Sequence, residues 1–286
     1  MEGAHGIRTD SQAEHDRRRL LARRRLLALA AIVVVVVAAI LAFALSGGGK
    51  AGALPAGQLR VAGVVVDMSV QKDLPRPTAG RPLKIYFGGD SMAGYPVVEL
   101  SKLAAATKVM QVTGDSVVSS RLCDNAKVNW PARLRARLAA AHRNVVVFMI
   151  GANDAGASIT VNGTVYGFWS KGWVTAFHKI VGGMMDDAIK AGVQRIYWVG
   201  MPIMKAGDYP SSDQMKRLDF AFRSEAKARP DYVRYIDIWT LLATKDGQWD
   251  PRWRASWDPT HLNTAGADRI AAKVMAAIKH DWLPPQ

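Results

Sequence analysis

The chain has 286 residues, 49% hydrophobic and 22% charged, with a formal net charge of +14 and one cysteine. An apolar fraction of that size excludes a wholly disordered chain, and a lone cysteine excludes an intrachain disulfide. The charge points to anionic partners without choosing among nucleic acid, membrane surface and polymer.

Residues 1–25 are polar and arginine-rich, with Arg17-Arg18-Arg19 and Arg23-Arg24-Arg25, and read as an unfolded basic tail. Residues 26–45 carry no charge and include an unbroken valine run from Val33 to Val37. About 20 apolar residues at ~1.5 Å each match a hydrocarbon core of ~30 Å, so a transmembrane helix is expected here. The arginines keep the amino end cytoplasmic and place the rest of the chain outside, in the periplasm or beyond. Cleavage as a signal peptide is the competing reading, because Ala42-Phe43-Ala44 has the small-x-small form of a cleavage site. Residues 46–82 open with Ser46-Gly47-Gly48-Gly49, hold four prolines and read as a linker. Its apolar run, 61–66, fits either a strand at a sheet edge or part of the tether.

Residues 83–286 alternate strand and helix patterns. Strands are expected over 84–87, 108–112, 145–150, 195–199 and 233–238. Helices are expected over 96–106, 131–141, 173–191, 213–228 and 264–279. Residues 145–150 are apolar throughout, as in a strand covered on both faces. Five such units in series predict a three-layer α/β domain around a parallel sheet of about five strands. Sites in such sheets form at the carboxyl ends of the strands.

Four polar or glycine breaks sit at those ends or before the last helix: Gly89-Asp90-Ser91, Thr113-Gly114-Asp115, Gly151-Ala152-Asn153-Asp154 and Asp258-Pro259-Thr260-His261. Together they predict acyl transfer. Ser91, on a strand-to-helix turn, is the nucleophile, and His261 the base that takes its proton. Asp258, three residues earlier, orients the imidazole. Pro259 biases Asp258 away from the helical region, so a loop is expected for the pair. The Ser91 N–H, the Gly114 N–H and the Asn153 side-chain amide are the candidate oxyanion donors. Gly114-Asp115-Ser116 is a second Gly-Asp-Ser, but only Ser91 has strand, turn and helix in the right order.

On these residues the domain resembles the SGNH (GDSL-type) hydrolase superfamily. The four residues of that name fall on Ser91 in Gly-Asp-Ser-Met, Gly114, Asn153 in Gly-Ala-Asn-Asp and His261 in Asp-Pro-Thr-His. The resemblance covers about residue 83 to the carboxyl end. It implies a flavodoxin-like fold and a serine ester hydrolase or acyltransferase.

The function expected is thus a membrane-anchored, outward-facing serine esterase acting on acyl esters, O-acetyl esters among them, with acylated glycans of the cell envelope as candidate substrates. The same residues serve an O-acyltransferase of envelope polysaccharide. A glycan-binding module without catalysis is the alternative of another class. No cofactor or metal is expected, since no clustered ligand spacing stands out, and no nucleic-acid partner, since the basic residues form no recognised module. Substrate identity and oligomeric state stay open. Asp90 and Asp154 are expected to anchor their own loops. Cys123 reads as a plain surface or half-buried thiol, and His142, His178 and His280 as surface residues without partners. Tyr166, Phe168, Trp169 and Trp173 fit a pocket wall or core packing equally. Trp249, Trp253 and Trp257, spaced by four, read as a helical stripe that packs or as a platform on which sugar rings stack, with packing preferred.

Overall fold

A computed structural model describes residues 58–61, 64–67 and 74–283. The expected basic tail (1–25) and membrane span (26–45) lie outside the described residues. Among those described, no helix is long and apolar enough to cross a membrane.

Within the expected linker, β1 (Gln58–Val61) and β2 (Val64–Asp67) pair antiparallel, with Gln58 opposite Asp67 and Val61 opposite Val64. The apolar run 61–66 is therefore divided between two strands of a separate two-stranded sheet, and the segment 46–82 is not linker throughout.

The second unit runs β3 (Leu83–Gly89), α1 (Gly94–Ala106), β4 (Met110–Ser116), α2 (Trp130–Ala140), β5 (Val145–Met149), β6 (Ile159–Val161), β7 (Thr164–Tyr166), α3 (Lys171–Lys190), β8 (Arg195–Val199), α4 (Ser212–Lys227), β9 (Val233–Ile236), β10 (Arg254–Ala255), β11 (Asp258–Leu262) and α5 (Thr264–Trp282). Five strands form a parallel sheet in the order β4-β3-β5-β8-β9. The strand order reverses between β3 and β5, so right-handed crossovers send the helices to opposite faces. There α1 packs with α5, while α2, α3 and α4 pack in sequence.

Local chemistry sets the helix starts. Asn129 accepts the Ala132 N–H ahead of α2, with Pro131 in the first turn, where its missing N–H costs nothing. Ser211 and Gln214 close a capping box at α4. Every residue of β5 and β8 is buried, including Arg195 at the start of β8, which pairs with Asp281 at 3.3 Å and donates to the Asp231 carbonyl at 2.8 Å. Phe148 stacks on Trp198 at 5.4 Å and meets the Trp130 ring edge at 5.7 Å. Trp173 stacks on Phe177 within α3 at 4.5 Å, and Tyr166, Phe168 and Trp169 ahead of α3 pack partly buried against the core.

One strand departs from expectation in a way that matters for the site. The second strand starts at Met110 instead of 108, because Lys108 takes a positive φ of 61° in the turn after α1. It also runs on through Thr113-Gly114-Asp115-Ser116, which the sequence presents as a break. β3 continues through two glycines and pairs residue for residue, Gly88 with Asp115 and Gly89 with Ser116. Sheet pairing overrides the weak strand propensity of that segment.

Candidate active site

β3 delivers the nucleophile. Gly89 lies so close to β5 that a Cβ there would collide with the Met149 carbonyl oxygen and the Ala93 methyl. Only glycine lets the chain leave the sheet at this point. Asp90 then caps a 3-10 turn, Ser91–Ala93, by accepting the Met92 N–H at 2.9 Å, and α1 follows directly.

β5 delivers the second loop. Gly151 has φ 139°, and a 3-10 turn over Ala152–Asp154 carries Asn153. Asp90 also accepts the Gly151 N–H at 3.0 Å, which ties this loop to the nucleophile turn. Asp154 accepts the N–H groups of Leu122 (2.8 Å) and Cys123 (2.7 Å), tying it to the loop after β4. Asp90 therefore anchors its own turn, as expected, and also bolts it to the next loop, while Asp154 bolts its loop to a distant one. Both are fully buried. Burial pushes the Asp90 carboxyl up to about 6 and that of Asp154 to about 7, against the N–H groups that favour their ionised forms.

The third contribution comes from β11. Asp258 and His261 sit on a short strand paired with β10, not on the loop expected; the backbone is still extended, as Pro259 demands. Asp258 uses Oδ1 for the Thr260 N–H at 2.7 Å and Oδ2 for His261 Nδ1 at 2.5 Å. Burial opposes its charge, but the bonds from the His261 ring and from Thr260 win and hold its carboxyl below the usual range. His261 Nε2 lies 2.9 Å from Ser91 Oγ. With Nδ1–H donating to Asp258, Nε2 is the acceptor for the serine hydroxyl. Buried Arg254 on β10 donates to the Ile203 carbonyl at 2.5 Å and to the Thr260 carbonyl at 3.3 Å, bracing this hairpin against the loop after β8. Burial pushes its guanidinium down to about 10.

Ser91, His261, Asp258 and Asn153 thus converge at the carboxyl edge of the sheet, beside a cleft of about 370 Å³ lined by Ser119, Arg121, Asn153, Tyr209 and His261 among others. Asn153 donates one Nδ2 hydrogen to the Ser120 carbonyl at 3.0 Å, leaving a second for a ligand.

Gly114 is not brought there. It pairs with Phe87 inside β4, and a Cβ on it would strike Val97 of α1. Its small size serves packing. The residue of this block that lines the cleft is Ser119, held at φ 58° in the turn beyond β4. Sequence reasoning missed it because a serine in the left-handed region looks like any other serine. The rest of the second Gly-Asp-Ser is structural too: Asp115 is gripped by Arg133 (2.9 and 2.5 Å), Arg137 (2.9 Å) and the Tyr86 hydroxyl (3.0 Å).

Further residues are placed differently from expectation. Trp257 does not pack: it is 76% exposed, and its ring lies 6.1 Å from the His261 ring at an interplanar angle of 22°. All three histidines expected to lack partners have one: His178 meets Glu225 of α4 at 2.7 Å, His280 meets Asp281 at 3.1 Å and His142 meets the Asn144 amide at 3.3 Å. Cys123 is buried, and its surroundings, burial first and then Asp154, push its thiol up out of reactive range.

A family model described as "Protein of unknown function (DUF459)" matches residues 84–277. No curated protein matches the chain. Among solved structures, a variant of Axe2, an acetyl-xylooligosaccharide esterase from Geobacillus stearothermophilus, is 15% identical with a TM-score of 0.51, over 75% of this chain and 100% of that one. A member of the lipolytic protein G-D-S-L family from Veillonella parvula is 14% identical with a TM-score of 0.51, over 69% of this chain and 98% of that one. The α/β fold with its five-stranded parallel sheet is shared with these solved structures, and by the match over 84–277 the chain belongs to the DUF459 family.

Proposed function

We propose that the protein is a serine ester hydrolase acting on short acyl esters, O-acetyl esters first among them. One observation carries this reading: the unbroken relay from Asp258 through His261 to Ser91, at 2.5 and 2.9 Å. Ser91 Oγ attacks the ester carbonyl carbon as its proton passes to His261 Nε2. The resulting oxyanion is met by the second Asn153 amide hydrogen and by backbone N–H groups, those of Ser91 and Ser119 being the candidates. Asp258, kept ionised, stabilises the imidazolium and fixes its tautomer. His261 then protonates the departing alkoxide, and the acyl group is left on Ser91. Water, deprotonated by His261, releases the acid and restores the serine.

The acetyl ester named for the Geobacillus neighbour supports the choice of acyl group. Trp257 offers an exposed apolar ring beside the imidazole. A sugar ring stacked there would suit a glycan ester. The same platform would suit a sugar acceptor in place of water, which would make the site an O-acyltransferase. The uncharged stretch 26–45 and the arginines before it support a single-pass anchor with the domain outside the cytoplasm.

Labelling by a fluorophosphonate tests the reading. Wild type should be labelled and should hydrolyse p-nitrophenyl acetate, and Ser91→Ala should do neither. Labelling that persists in Ser91→Ala, or none in the wild type, would remove Ser91 as nucleophile. Product analysis with an added saccharide acceptor separates hydrolysis from transfer.

A further inference from the structure

The segment after β8 walls two clefts. Tyr209 and Pro210 line the one beside His261. Ile203 to Gly207 line another, of about 650 Å³, on which Trp239 and Trp249 also open. A third cleft of about 340 Å³ shares Lys216 and Trp239 with the second and ends at Phe220, which is 61% exposed. The second and third therefore adjoin along one side of the molecule.

Cations that line these clefts lie over rings, two of them in the lining (Trp249 and Trp239) and one, Tyr235, behind it. Lys205 Nζ lies 5.9 Å from the Trp249 ring, Lys216 Nζ 5.2 Å from the Trp239 ring, and the Arg223 guanidinium 4.7 Å from the Tyr235 ring. Arg223 has a partner in Asp237 at 3.2 Å. Lys205 and Lys216 make no ion pair among the described residues, so their charge is available to a ligand. Pyranose rings present apolar faces that stack on indole and phenyl rings, while their hydroxyls need the kind of polar side chain that Gln248 and Asp213 supply here. Carboxylates at intervals along a sugar chain would meet Lys205, Lys216 and Arg223. A phosphodiester chain would meet the same cations, so a nucleic-acid probe belongs in the test.

We propose that this paired cleft binds an anionic polysaccharide, holding the polymer next to the cleft that contains His261. The proposal needs no hydrolysis and stands whether or not Ser91 is a nucleophile. The test uses the full chain carrying Ser91→Ala, with polygalacturonate as anionic probe, dextran as neutral probe and oligo(dT) as nucleic-acid probe. Polygalacturonate should bind, more weakly as salt rises, and dextran should not. The double variant Lys205→Glu/Lys216→Glu should weaken binding about tenfold or more, and Trp239→Ala about tenfold, each worth roughly 1.4 kcal/mol. Lys273→Glu, at an exposed position of α5, should weaken it less than about threefold. Thermal melts establish that the variants fold; if Trp239→Ala does not, the lysine pair decides. Absence of polygalacturonate binding would overturn the proposal. So would a Lys273→Glu loss equal to that of the double variant, which would mean diffuse charge alone, or tighter binding of oligo(dT) than of polygalacturonate.

Discussion

The Asp90 carboxylate accepts the Gly151 N–H at 3.0 Å while its other oxygen caps the turn of Ser91 through the Met92 N–H at 2.9 Å. One buried side chain therefore fixes the distance between the loop of the nucleophile and the loop of Asn153. Asp90→Ala leaves two buried N–H groups without acceptors, at about 1–3 kcal/mol each. It should lower stability by that order in urea denaturation and lower kcat in the surviving folded fraction. Asp90→Asn keeps one acceptor oxygen and should lose less of both. An Asp90→Ala enzyme with wild-type kcat and midpoint would show that the two loops hold their spacing without it.

The imidazole depends on Asp258 for its tautomer. Asp258→Asn preserves shape but offers Nδ1 an amide, and kcat for p-nitrophenyl acetate should fall by about 10⁴. Asn153→Ala removes one oxyanion donor and should cost about 10²–10³ in kcat. In both variants KM should change little. A large rise in KM at constant kcat would mean that these residues bind substrate without aiding the reaction.

Acid-base linkage gives a third expectation. Burial raises the carboxyls of Asp90, Asp154 and Asp219 to about 6, 7 and 7. Between about pH 4 and 7 the native state then keeps protons that the unfolded chain has lost, so this contribution to stability falls as pH rises through that window. Asp115, Asp258 and Asp281 are held below the usual range; their contribution is present above about pH 4 and lost in stronger acid. Asp219 lies away from the triad and accepts the Met201 N–H at 2.7 Å. Asp219→Asn removes its titration, so the drop in urea midpoint between pH 5 and 8 should be smaller than in wild type. An unchanged drop would show that Asp219 does not titrate there.

Gly114 offers a test of packing against chemistry. Gly114→Ala pushes a methyl into Val97 and should cost about 1–3 kcal/mol of stability, as overpacking does. Val97→Ala makes room for that methyl, so the double variant should regain part of the loss, and its kcat should match that of Val97→Ala alone. A low kcat that the second substitution does not restore would return Gly114 to the reacting groups.

Much of the molecule was legible in the chain itself. Five apolar strand runs and five helices with their caps are local patterns, and their alternation implies a parallel sheet covered on both faces. Ser91, Asn153, Asp258 and His261 each carry a local mark, a turn or a proline beside an apolar run, which is why they were found 170 residues apart. Gly114 carried the same mark and misled, because its neighbours in β3 extend the ladder past it, and pairing between strands is not written in either strand alone. Trp257 departs from the preferred packing for a like reason: spacing by four implies an α-helix, but the segment forms one 3-10 turn, Pro251–Trp253, and then a hairpin that leaves Trp257 exposed. What only the tertiary structure decided was which polar groups face one another. The Asp90 and Asp154 bolts, the Arg254 brace, the left-handed Ser119 and the row of rings and cations along Lys205 and Lys216 all join distant segments. Such contacts depend on how the sheet brings loop ends together, and composition and period carry no record of that.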